Sequence, residues 1–464
     1  MITEIPNEFE FVIIGGGTAG ALAFYYLSQF APEKTLLIEK KPKDLRYHSA
    51  KIIVGHAKQY LHGNLSLRAN PKEDGDDIFL RDIDSICNSS RNAEGPMFGK
   101  EEFGKPYGKV IDEQNFIRWH IRKAANNGAQ VLWGTEVLDI NESDTFSKRV
   151  KIIQRNEENG EKGDQKEKMK KVSGKDVELK TNLVFLATGS HDESLLRSLG
   201  FPIPYSLNQI VATFYADPHF IDSCYKTDYF YHLHPRMSTR GPLQMTKGSD
   251  FFNMILVSEE SHEKMVEKFM RIIKKYDYVQ PLFQEVKNPP SSFDPATIIR
   301  KKVWKDPISR FYDDHIILLG ETTGLVTECY YEGLLGCFLT SRVATDLVKS
   351  LYKNQKSYSA KNLQDYDHKI RKELLQNFHI SQKASEDMFL GQRDDQFKIW
   401  DAYIKAINKD KRVRRNIWIA WQDTKIKDYN LKNDEYCGER IYFSLPMITR
   451  MKLTPLFLKM KFSD

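Results

Sequence analysis

The sequence predicts an α/β protein: a Rossmann-like parallel sheet, a second domain built on a mixed β-sheet, and a helical C-terminal region. Three observations predict it. Strand, glycine-rich turn, helix and second strand follow one another inside the first 40 residues. The apolar run Leu183–Leu186 ends in a turn containing Gly189, with helical spacing after it. The run Ile316–Leu319 ends in Gly320, again with a long helical pattern downstream. Strands that alternate with helices need crossover connections, and these build parallel sheets.

The first element is "FEFVIIGGGTAGALAFYYLSQFAPEKTLLIEKK". Phe11–Ile14 reads as a short strand buried on both faces. Gly15, Gly17 and Gly20 follow with GxGxxG spacing around Thr18 and Ala19. In such a turn the first glycine permits the bend, the second lets a pyrophosphate reach the backbone, and the third lets helix and strand close up. Ala21–Phe30 reads as the helix whose positive end faces the phosphates. A second strand, Thr35–Ile38, runs into Glu39 and Lys40, and Glu39 stands 19 residues beyond Gly20 (39 − 20). A carboxylate there accepts from both ribose hydroxyls. This pattern predicts a dinucleotide site. FAD and NAD share it, so Glu39 does not choose between them.

The late segment "HIILLGETTGLVTECYYEGLLG" repeats the strand, glycine and acid arrangement with Gly320, Glu321 and Gly324. Gly333 and Gly336 suit close backbone approach to a flat ring, and "GLLGCFLTSRVATDLVKSLY" continues as a long amphipathic helix. Between the two ends lie "LVFLATGSHDESLLRSLG", a strand followed by Ala187-Thr188-Gly189 and a helix, and "NFIRWHIRKAANNGAQVLWGTEVLDI", a helix over Phe116–Ala125, a glycine turn and a strand.

Taken in order, the glycine loop, "GTEV", "ATG" and "GETTG" resemble the geranylgeranyl reductase family of FAD-dependent oxidoreductases, over roughly residues 9–390. The resemblance implies FAD as cofactor. It implies that Glu321, where the family writes Asp in GDAAG, holds the ribityl arm, with Gly324, Leu325, Gly333 and Leu334 along the flavin. It implies that Val137 lies beside the adenine and that Ala187-Thr188-Gly189 borders the ring. Thr188 stands where the family has an aspartate linked to flavin and nicotinamide handling. Cys329 and Tyr330, just past the motif, fall where the family's chain runs along the isoalloxazine, and they are the candidate catalytic residues. The substrate motifs are degraded: Ser49 and Ala50 replace a Cys-Gly pair, and Lys247-Gly248 remain from a longer aromatic pattern.

The expected domains are discontinuous. The FAD-binding domain takes 9–50, 105–205 and 300–350, the substrate domain 51–104 and 206–299, and the helical region 351–464. The charge-dense stretch Arg155–Glu178 predicts the mobile tip of a hairpin. Net charge is +6, from 69 basic and 63 acidic residues. That mixed surface does not suit a nucleic-acid partner. Apolar residues at 41% and charged residues at 28% describe a globular chain. Five scattered cysteines with no CxxC pair give neither a zinc site nor a disulfide framework, so no metal is expected. The start shows no signal peptide, which makes a reducing cytoplasm the default. From Arg440 to Ser463 there are five basic residues and no acid, interleaved with apolar side chains. Peripheral membrane contact through 440–463 is one reading. A helix packed on the domain is the other, and Pro446 and Pro455 interrupt any strict period.

The resemblance implies hydride transfer from reduced FAD to a carbon–carbon double bond of an isoprenoid or polyprenyl lipid, with NAD(P)H or ferredoxin as electron donor. His56, Tyr60, His62, His232 and His234 fall where a cavity would be lined, but structural roles suit them better. Competing readings are a flavin monooxygenase or halogenase acting on a hydrophobic small molecule, and a flavin-fold protein without chemistry. Thr188 weakens the monooxygenase, and the halogenase's Trp-x-Trp-x-x-Pro is absent.

Overall fold

The structure, a computed structural model, describes residues 6–45, 50–54, 78–90, 95–142, 148–154, 176–190, 193–224, 227, 229–233, 243–275, 283–287, 298–326, 333–372, 396–419 and 431–462. Cys329, Tyr330, Ser49, His56, Tyr60, His62 and His234 lie outside these residues. So does the side chain of His232.

The run Phe11–Ile14 forms the end of β1 (Glu8–Ile14), which pairs in parallel with β2 (Thr35–Glu39) and with β11 (Asp176–Leu186). β8 (Gln130–Trp133) extends this sheet beyond β2, and β18 (Ile316–Leu318) extends it beyond β11, both in parallel. β17 (Tyr312–Asp313) closes one edge antiparallel. The first half of β11 turns back on β10 (Lys148–Gln154), and β10 pairs with β9 (Thr135–Glu142). Arg155–Glu178 therefore links two antiparallel partners; residues 155–175 are outside the described set.

Alternation along the parallel strands feeds two cores. Phe11, Ile13, Leu37, Leu183, Phe185 and Ile317 face the helices α1 (Thr18–Ser28), α3 (Glu113–Asn126) and α7 (Leu334–Lys353). Val12, Ile14, Leu36, Ile38, Val184 and Leu186 face the meander, through Ile140, Val150 and Ile152, and α4 (Glu193–Ser198). Burial on both faces is why these strands read as unbroken apolar runs. Two helices start earlier than their apolar periodicity suggests. α1 begins at Thr18 rather than Ala21. α3 begins at Glu113 rather than Phe116, because Asp112 caps it by accepting from the Asn115 amide at 3.0 Å.

A second, seven-stranded sheet runs β16 (Ile298–Trp304), β12 (Ser206–Tyr215), β15 (Phe251–Ser258), β14 (Leu243–Lys247), β13 (Tyr229–Leu233), β5 (Ser85–Ser90) and β6 (Phe98–Gly99). One face is apolar. Ile210, Phe214, Met254 and Leu256 meet Met265 and Phe269 of α6 (His262–Lys275). The register puts Gln209, Thr213, Gln244, Thr246, Asn253 and Lys301 on the other face. All but the half-buried Lys301 are buried. This polar face meets a third sheet, where Asn253 Nδ2 donates to Ala50 O at 3.3 Å, and the end of the first sheet, where Lys301 reaches Glu321. A three-stranded sheet, β3 (Ala50–Val54), β7 (Gly108–Asp112) and β4 (Phe79–Asp82), lies between them in sequence and in contacts.

Short helices α2 (Lys100–Phe103) and α5 (Pro218–Cys224) decorate the second sheet, and α8 (Ala360–Ile370) packs on α7. The C-terminal region is helical, as expected: α9 (Gln396–Lys409), α10 (Lys411–Ile419), α11 (Leu431–Ser444) and α12 (Met447–Phe462). Trp400, Ile404 and Trp418 share a core with Phe98, Tyr107 and Phe251. Trp418 Nε1 is satisfied by Lys105 O at 2.9 Å. Among the described residues no helix is long and apolar enough to cross a membrane.

Candidate functional site

The C-terminal ends of β1, β2, β11 and β18 bring the glycine motifs together. Gly15 adopts φ +100°, and its amide donates to Ile38 O at 2.8 Å. A side chain there would meet Ala187 O at 2.4 Å. A Cβ on Gly20 would lie 1.9 Å from Gly15 O. Both glycines are therefore demanded by the packing of turn, helix and β11. Gly17 differs: nothing stands within 4 Å of where its Cβ would be, so the backbone at the start of α1 is open. No side chain caps α1, and its first turn carries no acid of its own. An uncapped helix start with open backbone is suited to an anion.

Glu39 sits across the turn. Its carboxylate accepts from the Gly16 amide at 2.5 Å and the Lys41 amide at 2.7 Å. The two bonds orient it and leave lone pairs on each oxygen for hydroxyl donors. Lys40 turns away to Glu136 at 2.5 Å. Val137, next along β9, packs on the cluster that holds Ile14 and Ile38. These residues stand together where the sequence places the adenosine end of the expected site.

The late motif docks beside the turn. Gly320 (φ +59°) passes so close to α1 that a Cβ would sit 2.7 Å from the Ala19 methyl. Thr340 Oγ1 on α7 accepts from the Gly320 amide at 2.8 Å, and Ser341 Oγ donates to Ala19 O at 2.9 Å. α7 thus ties both glycine motifs to one helix. Its own start, Leu334 after Gly333, also has no side-chain cap and no acid in its first turn. Gly324 and Leu325 serve packing: Gly324 backs onto Asp306 O, and Leu325 O lies under Gly336. Gly189 follows β11 and donates its amide to Thr322 Oγ1 at 2.8 Å, so the "ATG" and "GETTG" turns are bonded to each other.

Glu321 is not isolated at its turn. Lys301 Nζ lies 3.1 and 3.3 Å from its two carboxylate oxygens, and both side chains are largely covered. Lys301 belongs to the polar face of the second sheet, so the pair joins the two sheets. A second acid approaches from α3: Glu113 Oε1 accepts from Thr18 Oγ1 at 2.9 Å, at the start of α1. Lys51 stands 4.0 Å from its other oxygen. Beneath Gly320, burial pushes the Cys337 thiol up, and the Glu321 and Glu113 carboxylates push it further. It stays a thiol at neutral pH and packs as a small apolar group.

Lys301 and Glu113 escaped the sequence reading. Each had a faint signal. In "IIRKKVW" Lys301 shares its face with Ile299 and Val303, an inward position for a charge. In "DEQN" a cap residue followed three places later by Asn115 puts Glu113 on the helix.

The residues present fit a dinucleotide. Gly17 leaves a cradle, two uncapped helix starts converge, Glu39 and Glu321 offer acceptors, and Thr188 Oγ1 is buried without a hydrogen-bond partner among the described residues. Solved structures share the fold. A geranylgeranyl bacteriochlorophyll reductase-like protein from Thermoplasma acidophilum superposes with a TM-score of 0.67 at 13% identity, covering 92% of this chain and 99% of that one. The fold is that of the FAD-dependent flavoprotein oxidoreductases. A p-nitrophenol 4-monooxygenase from Pseudomonas putida gives 0.63 at 15% identity, covering 89% and 98%. The flavin-dependent halogenase CmlS gives 0.59 at 14%, covering 96% of this chain and 74% of that one. No family model and no curated protein matches the chain.

Proposed function

We propose that this chain is a FAD-dependent oxidoreductase. The observation that carries the proposal is the convergence of the Gly15–Gly20, Ala187–Gly189 and Gly320–Gly324 turns at one end of one parallel sheet, mutually bonded and opposite Glu39. The start of α1 would receive the diphosphate, Glu39 the ribose, Glu321 the ribityl chain, and the start of α7 the ring. FAD supplies two-electron transfer when bound; the chain binds it, orients the acceptor and excludes water.

Within that class we favour reduction of a carbon–carbon double bond in an isoprenoid or polyprenyl lipid, on the order of the cofactor motifs and the departure at Thr188. Ile299, Val211 and Ile255 on the facing sheet supply apolar surface. Each CH2 buried there would contribute ~0.8 kcal/mol. The buried Gln209, Thr213, Gln244 and Asn253 of the same face favour a second reading, a monooxygenase-like reaction on a compact substrate with hydrogen-bonding groups. Such groups make an apolar chain a poor neighbour unless they bond one another, as Thr213 Oγ1 does by donating to Asn253 Oδ1 at 2.9 Å.

The test begins with the absorption spectrum and the mass of the released cofactor. A colourless protein that takes up no FAD overturns the proposal. With FAD present, the flavin is reduced anaerobically and offered lipid extract or air. Lipid gaining two hydrogens per flavin reoxidised supports reduction. Rapid oxygen uptake that depends on a polar substrate supports the second reading.

A further inference from the structure

The polarity of α12 is inside out. Helical spacing puts Thr449, Arg450, Thr454 and Phe457 on one side, and the structure turns that side inward. Thr449 is fully buried, its hydroxyl without a hydrogen-bond partner among the described residues. Arg450 donates to Phe443 O at 2.7 Å and Leu445 O at 3.1 Å, closing the end of α11. Tyr442 stacks on Phe457 with centroids 4.1 Å apart and bonds Thr454 Oγ1 at 2.7 Å. This inner side is fixed by specific contacts, so the helix is not rotated by chance.

The outer side is apolar. Met447, Ile448 and Met451 are 75%, 70% and 67% exposed, and Phe443 and Leu458 are exposed beside them. Of nine large apolar side chains exposed among the described residues, these five fall between 443 and 458. Scattered apolar residues are ordinary on a surface, whereas a contiguous group marks a contact. The sequence through the group carries charge of one sign, with five basic residues and no acidic residue from 440 to 463, and Lys452 is exposed next to Met451. A protein partner would be indifferent to such a run unless it were acidic. The headgroup layer of an anionic bilayer supplies apolar depth and negative charge together.

We propose that the outer face of α12, with Phe443 at the end of α11, is a peripheral binding surface for anionic lipid bilayers. The helix lies in the headgroup layer, with Met447, Ile448, Met451 and Leu458 inserted and the exposed Lys452 at the phosphates. This is independent of the cofactor reading, because the contact lies on the C-terminal helices and needs no flavin.

The experiment is sedimentation of the full chain with phosphatidylcholine vesicles, with and without phosphatidylglycerol. The chain is expected to pellet with the anionic vesicles and to be released by salt. Ile448→Glu with Met451→Glu should lower the affinity roughly tenfold or more. Lys452→Gln should weaken binding less and flatten its salt dependence. Because Ile448 and Met451 are exposed, the double variant should keep the parent's melting temperature and helical circular dichroism. Failure of the parent to pellet with anionic vesicles overturns the proposal. So does a double variant that pellets like the parent. A parent dimer that Met451→Glu dissociates also overturns it, by assigning the face to a second copy.

Discussion

Two acids mark the two ends of the candidate site, and they are held in different ways. Glu39 is fixed by backbone amides of its own βαβ unit, Gly16 and Lys41. Glu321 is fixed by a side chain from another sheet, Lys301. The adenosine end is thus self-contained. The flavin end is set jointly by the strand that carries Glu321 and by the wall that would face the substrate. A change in that wall can reach the flavin end through Lys301, whereas the amides that hold Glu39 come from Gly16 and Lys41.

The largest expected effect breaks the self-contained end. Gly20→Val places a branched side chain against Gly15 O, where even a Cβ would be 1.9 Å away. Backbone on both sides leaves nothing to yield, so we expect a loss of about 3 kcal/mol or more in stability. Melting temperature and retained flavin absorbance would fall together. A variant that melts like the parent and still holds flavin would show that the tight turn is not what builds this end.

This end was legible in the sequence because its causes are local. Strand, turn, helix and acid lie within one stretch, and the spacing alone marks Gly15 and Gly20, which packing demands, and Gly17, which leaves the backbone open. The late motif was half legible. Gly320 and Glu321 could be placed at a strand end, but the lysine that grips Glu321 lies on β16, and only the folding of the second sheet brings it there. The outward stripe of α12 was hidden for another reason. Pro446 and Pro455 break the expected period in the sequence, yet Pro446 precedes the helix and α12 runs through Pro455. The inner side carries threonines and an arginine where a core-facing stripe would be apolar, so periodicity gave no warning.

A medium effect sharpens the contrast between the acids. Lys301→Met keeps the aliphatic stem but leaves the Glu321 carboxylate without its cation in a mostly covered place. We expect a cost of about 1–3 kcal/mol, read as lower stability or weaker flavin retention. Adding Glu321→Gln to Lys301→Met should recover part of that loss, and the double-mutant cycle isolates the coupling. Additive effects of the two changes would mean that the ion pair does not link the sheets energetically. The same lysine replacement should leave the Glu39 end unaffected, which can be followed by binding of adenosine diphosphate.

The smallest effect concerns Glu113, the acid that the α1 start acquires from α3. Its carboxylate bonds Thr18 Oγ1 at the point where helix geometry favours an anion. In the flavin-bound protein a diphosphate would share that neighbourhood, and like charges would repel. Lys51 at 4.0 Å offsets part of the repulsion. At an effective dielectric between water and protein, the residual penalty is roughly 1 kcal/mol, or about fivefold in affinity. Glu113→Gln keeps an acceptor for Thr18 and removes the charge. FAD should therefore bind the variant about fivefold tighter at low salt, and the gain should shrink as salt screens it. Fluorescence titration of FAD into the two apoproteins at two ionic strengths reads this directly. If the variant binds FAD more weakly at both, Glu113 is a positioning residue for the turn rather than a competitor of the diphosphate. The adenosine end would then depend on a side chain from outside its own unit, as the flavin end does.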